Sequence, residues 1–333
     1  MSVSYEKPGH AAVHLTRAAC LAPSPHNSQP WYFVEEGHDH GFEVHADVGR
    51  RMILTDPGGR EMVIACGAAL FNARTAVRHL GFRPVVELLP EPGSPAFLAR
   101  VGFATHAPVT PDEAELADAI ARRHTHRGPF LNESLPDGLM DELREHARVE
   151  GAVLQVFDEP EELEVLAELV RTAEDTQRAD PGRAAEVMRG LGHGGVPAEA
   201  CRYHPDGTFL AGRDYLGLAR RYLLPSRRRH HGTGTVAVLS TPCDDRHDWL
   251  RSGQALQRVL LAAAARGVMA AFHTQPLELP ALRAQLRHRL TAGNFPQTLL
   301  RLGTAHPRHR QVVAAYLDTA ATELEFTGFA TEA

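Results

Sequence analysis

The sequence is short of several things, and each shortage closes off a class of function. Four cysteines in 333 residues (Cys20, Cys66, Cys201 and Cys243) never fall into a C-x-x-C pair. That spacing supports neither a disulfide framework nor a thiol redox pair. Cys66 sits in an apolar helical stretch and reads as a small space-filler. Positive charge is in deficit: the net charge is −6, which argues against a nucleic-acid partner. The run Arg227-Arg228-Arg229 is a local exception and reads as a solvated loop. The opening MSVSYEKPGH has no apolar leader, and no stretch approaches the ~18 uninterrupted apolar residues of a membrane helix. The expectation is a soluble cytoplasmic protein with no membrane partner.

Metal-ligand spacing is also lacking. The 20 histidines include the scattered pairs His124 and His126, His230 and His231, and His306 and His309, with no third ligand at a zinc-like interval. No metal is expected. A dinucleotide fingerprint is missing as well: GHGG (192–195) and GTGT (232–235) neither follow a strand nor open a helix.

What is present is a folded core, with 43% apolar residues. Hydrophobic periodicity predicts helices at 10–21, 60–80, 112–122, 136–148, 160–179, 249–266 and 278–290. Strands are predicted at 31–35, 41–46, 84–89, 97–103, 152–157, 234–239 and 298–303. Residues 181–232 are rich in Gly, Pro and Arg and read as a long irregular, lid-like insertion.

Two stretches look like copies of each other. CGAALFNARTAVRHLGF (66–82) aligns with SGQALQRVLLAAAARGV (252–268), matching Gly67 to Gly253, Ala69 to Ala255, Leu70 to Leu256, Ala76 to Ala262 and Gly81 to Gly267. Downstream, LARVG (98–102) resembles LLRLG (299–303). Chance likeness between Ala-rich helices is the alternative. A true repeat makes the chain two fused copies of one α+β unit, 1–108 and 109–333, the second carrying the insertion.

The copies differ where chemistry would sit. Only the first has APSPHNSQPW (22–31), a turn stiffened by prolines and crowded with neutral hydrogen-bonding groups: Ser24, Asn27, Ser28 and Gln29. Such groups suit the edge of a planar heterocycle. They equally suit a helix-to-strand turn whose polar atoms bond their own backbone. Only the second copy has ARRHTHRGPF (121–130), where Arg122, Arg123 and Arg127 could face an anion or simply close a helix end. One composite site between the copies accounts for the asymmetry.

The pattern A-P-S-x-x-N-x-Q-P-W resembles the flavin-binding turn of the nitroreductase superfamily. Arg123-His-Thr125-His-Arg127 ahead of Phe130 resembles that family's second signature, although here it follows the turn rather than preceding it. The fused arrangement is similar to the Acg-like subfamily, in which one chain mimics the usual homodimer. The resemblance implies an α+β, nitroreductase-like three-layer fold around a mostly antiparallel sheet, in two degenerate copies. It implies FMN as cofactor, with Arg123, Thr125 and Arg127 at the phosphate and ring edge, and Ser24, Asn27 and Gln29 reaching the flavin from the other copy. The family's segment over the ring would be Thr274, Gln275, Pro276 and Leu277, followed by Glu278 but without the usual glycine after it. The family's terminal basic residues would be Arg308 or Arg310.

The implied activity is hydride transfer from NAD(P)H through flavin to a nitro compound, quinone or similar small acceptor. The protein would be a monomer mimicking a dimer, or a homodimer. The alternative implied by the Acg-like likeness is an FMN-binding or storage protein with little NAD(P)H-dependent turnover. Hydride transfer needs no acid–base dyad, so no catalytic side chain is nominated.

Overall fold

A computed structural model describes residues 9–36, 41–190, 196, 210 and 231–305. The first copy runs α1 (His10–Cys20), β1 (Trp31–Glu36), β2 (Gly41–Ala46), α2 (Arg60–His79), β3 (Phe82–Leu88) and β4 (Phe97–His106). Then come α3 (Pro111–Arg122), the two-residue β5 (Phe130–Leu131), α4 (Leu139–Val149), β6 (Val153–Phe157), α5 (Pro160–Ala179) and α6 (Pro181–Arg189). The remainder is β7 (His231–Gly232), β8 (Thr235–Thr241), α7 (Arg246–Ala265), β9 (Val268–Phe272), α8 (Pro280–Arg289) and β10 (Phe295–Thr304).

The strands form two antiparallel sheets of four, ordered β1-β2-β4-β3 and β6-β8-β10-β9. Counted by position within each copy, the order is the same: first, second, fourth, third. The repeat seen in the sequence is therefore a repeat of topology. Chance likeness between two helices would not have reproduced a strand order.

The copies meet through α2 and α7, whose buried faces run almost all the way round. Their crossing is set by the two aligned glycines. A Cβ on Gly67 would stand 2.3 Å from the Leu250 carbonyl oxygen, and one on Gly253 would stand 2.0 Å from that of Ile64. The backbones can come this close only without side chains. Gly67 and Gly253 also touch each other, so the pseudo-twofold axis passes between them. The second aligned pair ends the same helices: Gly81 has φ +86° and Gly267 has φ +76°, the left-handed conformation that lets each chain leave its helix and enter a strand.

One core lies between the first sheet, α1 and α2, and another between the second sheet, α4 and α7. A third, with Phe157, Leu166, Val236, Val238, Leu286 and Leu299, lies on the far face of the second sheet under α5 and α8. The second copy is thus three-layered. On the corresponding face of the first sheet, Tyr32, His45 and Phe97 stack in a row, with Arg100 over Phe97.

Two differences from the expected elements have physical reasons. VMAAF (268–272), where no element is expected between the helices at 249–266 and 278–290, is a strand, β9; it is buried on nearly every residue and so shows no alternation. The start of the expected irregular insertion is helical: Asp180 caps α6 by accepting from the backbone N–H groups of Gly182 and Arg183. Most of 191–230 lies outside the described residues.

Candidate functional site

One cavity gathers the asymmetric motifs. About 970 Å³ of atom-free space lies within it, a figure that includes open solvent. Pro23, Ser24, Pro25 and His26 come from the turn after α1; Thr125, His126 and Arg127 come from the segment after α3. Ile64, Ala65 and Leu256, on the two central helices, give it an apolar floor. The second copy supplies Phe272, His273, Thr274 and Glu278, with Gln297, Thr298 and Arg301 from β10.

The turn is strained. His26, Asn27 and Gln29 all have positive φ, at 50°, 59° and 45°. Asn and His tolerate that region better than Gln does. Each such residue costs on the order of 1 kcal/mol or more, a cost usually tolerated where function requires the shape. Much of the polarity is nevertheless spent locally, as the structural reading of this turn anticipated. Ser24 Oγ accepts the Gln29 N–H at 3.0 Å, and the Ser24 carbonyl accepts the Asn27 N–H at 3.1 Å. The Cys66 thiol donates to the Pro30 carbonyl, so this buried cysteine fastens the turn to α2 as well as filling space.

The arginine segment is held differently. Thr125 bridges in parallel to Ala270 at the edge of β9, and the His126 N–H donates to the Ala270 carbonyl at 2.8 Å. The segment is thereby stitched to the sheet of its own copy. Arg123 is buried, and its Nη2 donates to the Leu21 carbonyl at the end of α1. Burial pulls its pKa down to about 10, and the neighbouring Arg127 adds repulsion in the same direction. Among the described residues no carboxylate pairs with either guanidinium, and both Nε atoms are buried without a hydrogen-bond partner. Arg122, by contrast, is exposed, and its side chain donates to the Asp118 carbonyl within its own helix.

Of the residues implied by resemblance, Ser24, Thr125, Arg127 and Thr274 line the cavity. Asn27, Gln275 and Leu277 are immediate chain neighbours of lining residues, Arg123 and Pro276 stand two positions from one and Gln29 three, and none of the six lines the cavity itself. Arg308 and Arg310 lie outside the described residues.

Sequence reasoning missed a buried cluster in the wall. Arg301, with no exposed surface, donates from Nε to His273 Nε2 at 2.9 Å and from Nη1 to the Thr233 carbonyl at 3.1 Å. Its guanidinium lies 5.4 Å from the centre of the Phe130 ring, which also meets His126 at 4.7 Å. Two glycines make room for that ring: a Cβ on Gly303 or Gly234 would sit 2.5 Å or 2.9 Å from its carbons. The signal for Arg301 was a cation in the middle of an apolar strand, LLRLG, where burial is costly unless the charge is used.

At the floor, Arg60 donates to Glu61, to the Gln297 carbonyl and to the Leu277 carbonyl. Gln297 in turn donates to Thr241 and Asp244. The cavity thus offers cations at one end, an apolar floor, and a polar wall braced from behind.

Against curated proteins, the chain is 33% identical over 297 residues to "Putative NAD(P)H nitroreductase acg" of Mycobacterium tuberculosis, covering 86% of this chain and 87% of that one. The chain belongs to the nitroreductase superfamily, in its Acg-like branch. A second relative, "Uncharacterized protein Rv3127" of the same organism, is 33% identical over 302 residues, 87% of this chain and 85% of that one. No protein-family model matches the chain. A solved nitroreductase with bound FMN from Desulfitobacterium hafniense aligns over 58% of this Acg-like chain and 89% of its own, at 15% identity and TM-score 0.38, too slight a likeness to define the fold.

Proposed function

We propose that the chain is an FMN-dependent oxidoreductase that takes hydride from NAD(P)H and passes electrons to a nitro compound, a quinone or a similar small acceptor. One observation carries this reading: the cavity sets Arg127, with buried Arg123 two residues from its lining, against the strained turn at 24–29 across an apolar floor, and among the described residues neither guanidinium has a carboxylate partner. A buried guanidinium with a second, half-buried one beside it calls for an anion in an acidic protein, and the FMN phosphate fits that need. The flat floor of Ile64, Ala65 and Leu256 fits one face of the ring.

Bound there, FMN would supply the hydride chemistry. The residues of this chain would do the rest. Arg123 and Arg127 would hold the phosphate, Thr125 and the turn would position the ring and its side chain, and Phe272 and Pro23 would exclude water. The absence of a dinucleotide fingerprint agrees with a nicotinamide that stacks on the flavin. Some of the chain's relatives are named "Putative NAD(P)H nitroreductase", which favours the same donor.

A second reading has its own support. The end of α6 packs on the turn, where a Cβ on Gly190 would sit 2.8 Å from His26 Cβ. Buried Glu186 accepts from the Leu54 and Thr55 N–H groups, tying α6 to the first copy. A segment fastened so near the cavity suits a flavin store whose cofactor is shut away from NAD(P)H.

An anaerobic absorption spectrum separates the two. A flavin band that bleaches on adding NADPH or NADH supports the reductase. A band that persists supports storage. No flavin band after incubation with FMN and desalting overturns both.

A further inference from the structure

We propose that Asn72, aimed by Gln257, is a positioning residue: through the last turn of α1 it sets where the Arg123 guanidinium stands, and with it the preference of the cavity for a flavin that carries a phosphate. The proposal rests on the cavity being the flavin site and on Arg123 meeting the phosphate.

Asn72 lies on α2 and Gln257 on α7, both with no exposed surface and neither in the cavity lining. Asn72 Nδ2 donates to the Ala18 carbonyl at 2.8 Å, and its Oδ1 accepts from Gln257 Nε2 at 2.7 Å. The orientation of both amides is forced. A carbonyl only accepts, so Asn72 turns its nitrogen to Ala18 and its oxygen to Gln257, which must then present its own nitrogen. Gln257 Oε1 is left buried with no hydrogen-bond partner among the described residues. Such an acceptor is costly, and an apolar side chain at 257 would avoid the cost. What the glutamine gives in return is the fixed direction of Asn72.

The Ala18 carbonyl is one of the last of α1, where carbonyls lack partners within the helix. It accepts from the Leu21 N–H at 3.2 Å as well as from Asn72. The carbonyl of Leu21 accepts from Arg123 Nη2 at 3.0 Å. Asn72 and Arg123 thus hold one short turn from two sides, with Leu21 between them. Ala18 and Leu21 also pack against the apolar cluster of Phe71, Ala119 and Ile120. Apolar contact has no preferred direction, whereas a hydrogen bond does. The amide therefore fixes the register of the helix end, and the helix end fixes Arg123.

Both copies carry such a joint, but they make it differently. The alignment of α2 with α7 makes Arg258 the counterpart of Asn72, and α4 precedes β6 as α1 precedes β1. Arg258 donates to Glu150, directly after α4, at 2.9 Å and to His146 within it at 3.0 Å. In the copy with the strained turn the tie is instead a neutral amide. It adds no carboxylate to pair with Arg123 and no cation to repel it. The charge of Arg123 is left for the ligand.

The test compares FMN with riboflavin, which is FMN without its phosphate, each bound to the full chain and read as a dissociation constant by flavin fluorescence. Asn72→Leu should weaken FMN about fivefold, the worth of one net hydrogen bond, and leave riboflavin within about twofold of wild type. Gln257→Met should act the same way by about threefold, since Asn72 keeps its bond to Ala18 but loses its aim. In an Arg123→Met background, Asn72→Leu should cost nothing further, because the group through which it acts is gone.

Equal losses for FMN and riboflavin would mean that Asn72 supports the cavity as a whole, and would overturn the proposal. So would wild-type FMN affinity in Asn72→Leu, or losses that add in the double variant. Should Asn72→Leu not fold, Gln257→Met decides: it exchanges one unsatisfied buried oxygen for another, so the fold is kept, and a wild-type ratio of FMN to riboflavin affinity overturns the proposal. Arg123→Met with wild-type FMN affinity takes Arg123 off the phosphate and overturns the proposal while the flavin site stands. If the wild type takes up no FMN at all, the reading of the cavity falls and this proposal with it.

Discussion

At the scale of single residues, the site is built by withholding partners from charges. Arg123 is the plainest case: burial depresses its pKa to about 10, and no carboxylate answers it among the described residues. The cost of that burial falls on the empty protein and is relieved by an anion. FMN should therefore raise the melting temperature, by about 2.7 kcal/mol of stabilisation at a hundredfold excess over Kd. Arg123→Met should weaken FMN binding by about tenfold to a hundredfold, the worth of a charge-assisted hydrogen bond, and should flatten the response of the melting temperature to ligand. Calorimetry with and without FMN checks both. Unchanged ligand response in Arg123→Met would remove this residue from the site.

Asp244 shows the opposite arrangement. Burial pushes its pKa up, but donors from Arg283, Trp249 and Gln297 outweigh that and hold it at about 2. A depressed carboxylate stabilises the fold above its ordinary value, 3.8, and that stability is lost as pH falls from there toward 2. Because Asp244 is only partly buried, the contribution is about 1 kcal/mol rather than the full shift. Asp244→Asn should lower stability by that much at pH 7, and the gap from wild type should narrow below pH 4, as read by urea denaturation. A gap that stays constant with pH would mean that the loss is not electrostatic.

At the scale of elements, the central contact is a helix pair that tolerates no side chain at its crossing. Alanine is a better helix former than glycine by up to about 1 kcal/mol. Against that stands a Cβ placed 2.3 Å or 2.0 Å from a backbone oxygen that has no rotamer to escape into. The clash wins. Gly67→Ala and Gly253→Ala should each cost about 3 kcal/mol, at the upper end of core overpacking. The denaturation midpoint should fall with little change in slope.

The same pair shows what was legible in the sequence and what was not. The alignment of 66–82 with 252–268 identified both glycines before their contact was visible, because close packing leaves small residues in a fixed register. The aligned Gly81 and Gly267 marked helix ends for an equally local reason. Strand β9 was hidden because burial erases the alternation by which strands are recognised. Arg301, His273, Glu61 and Gln297 were hidden for another reason. Their roles depend on partners on other elements, which no local pattern encodes. The turn at 22–31 is conspicuous, but its chemistry is ambiguous in the sequence, because the positive φ angles at 26, 27 and 29 and the cavity shared with Arg127 depend on the fold.

At the scale of the whole molecule, a twofold repeat would ordinarily give two equivalent sites, and here the two positions have diverged. The alignment of LARVG with LLRLG makes Arg100 the counterpart of Arg301. Arg301 is fully buried in the cavity wall. Arg100 is 36% exposed and is engaged by Glu36, Glu43 and Glu87 at 3.2, 3.4 and 3.7 Å. A cation met by three carboxylates does not recruit a further anion. The glycines diverge likewise: Gly303 makes room for Phe130, whereas a Cβ on Gly102 would meet nothing within 4 Å. The first copy also lacks the R-x-T-x-R segment, and the second lacks the strained turn. Titration of the apoprotein with FMN should therefore saturate at one equivalent per chain, with no second phase at higher concentration. A ratio of two would mean that the pseudo-twofold relates two working sites, and that Arg100 exchanges its carboxylates for a phosphate. That second outcome would show itself as binding that tightens when Glu43 is replaced by Gln, whereas a single composite site is indifferent to that change.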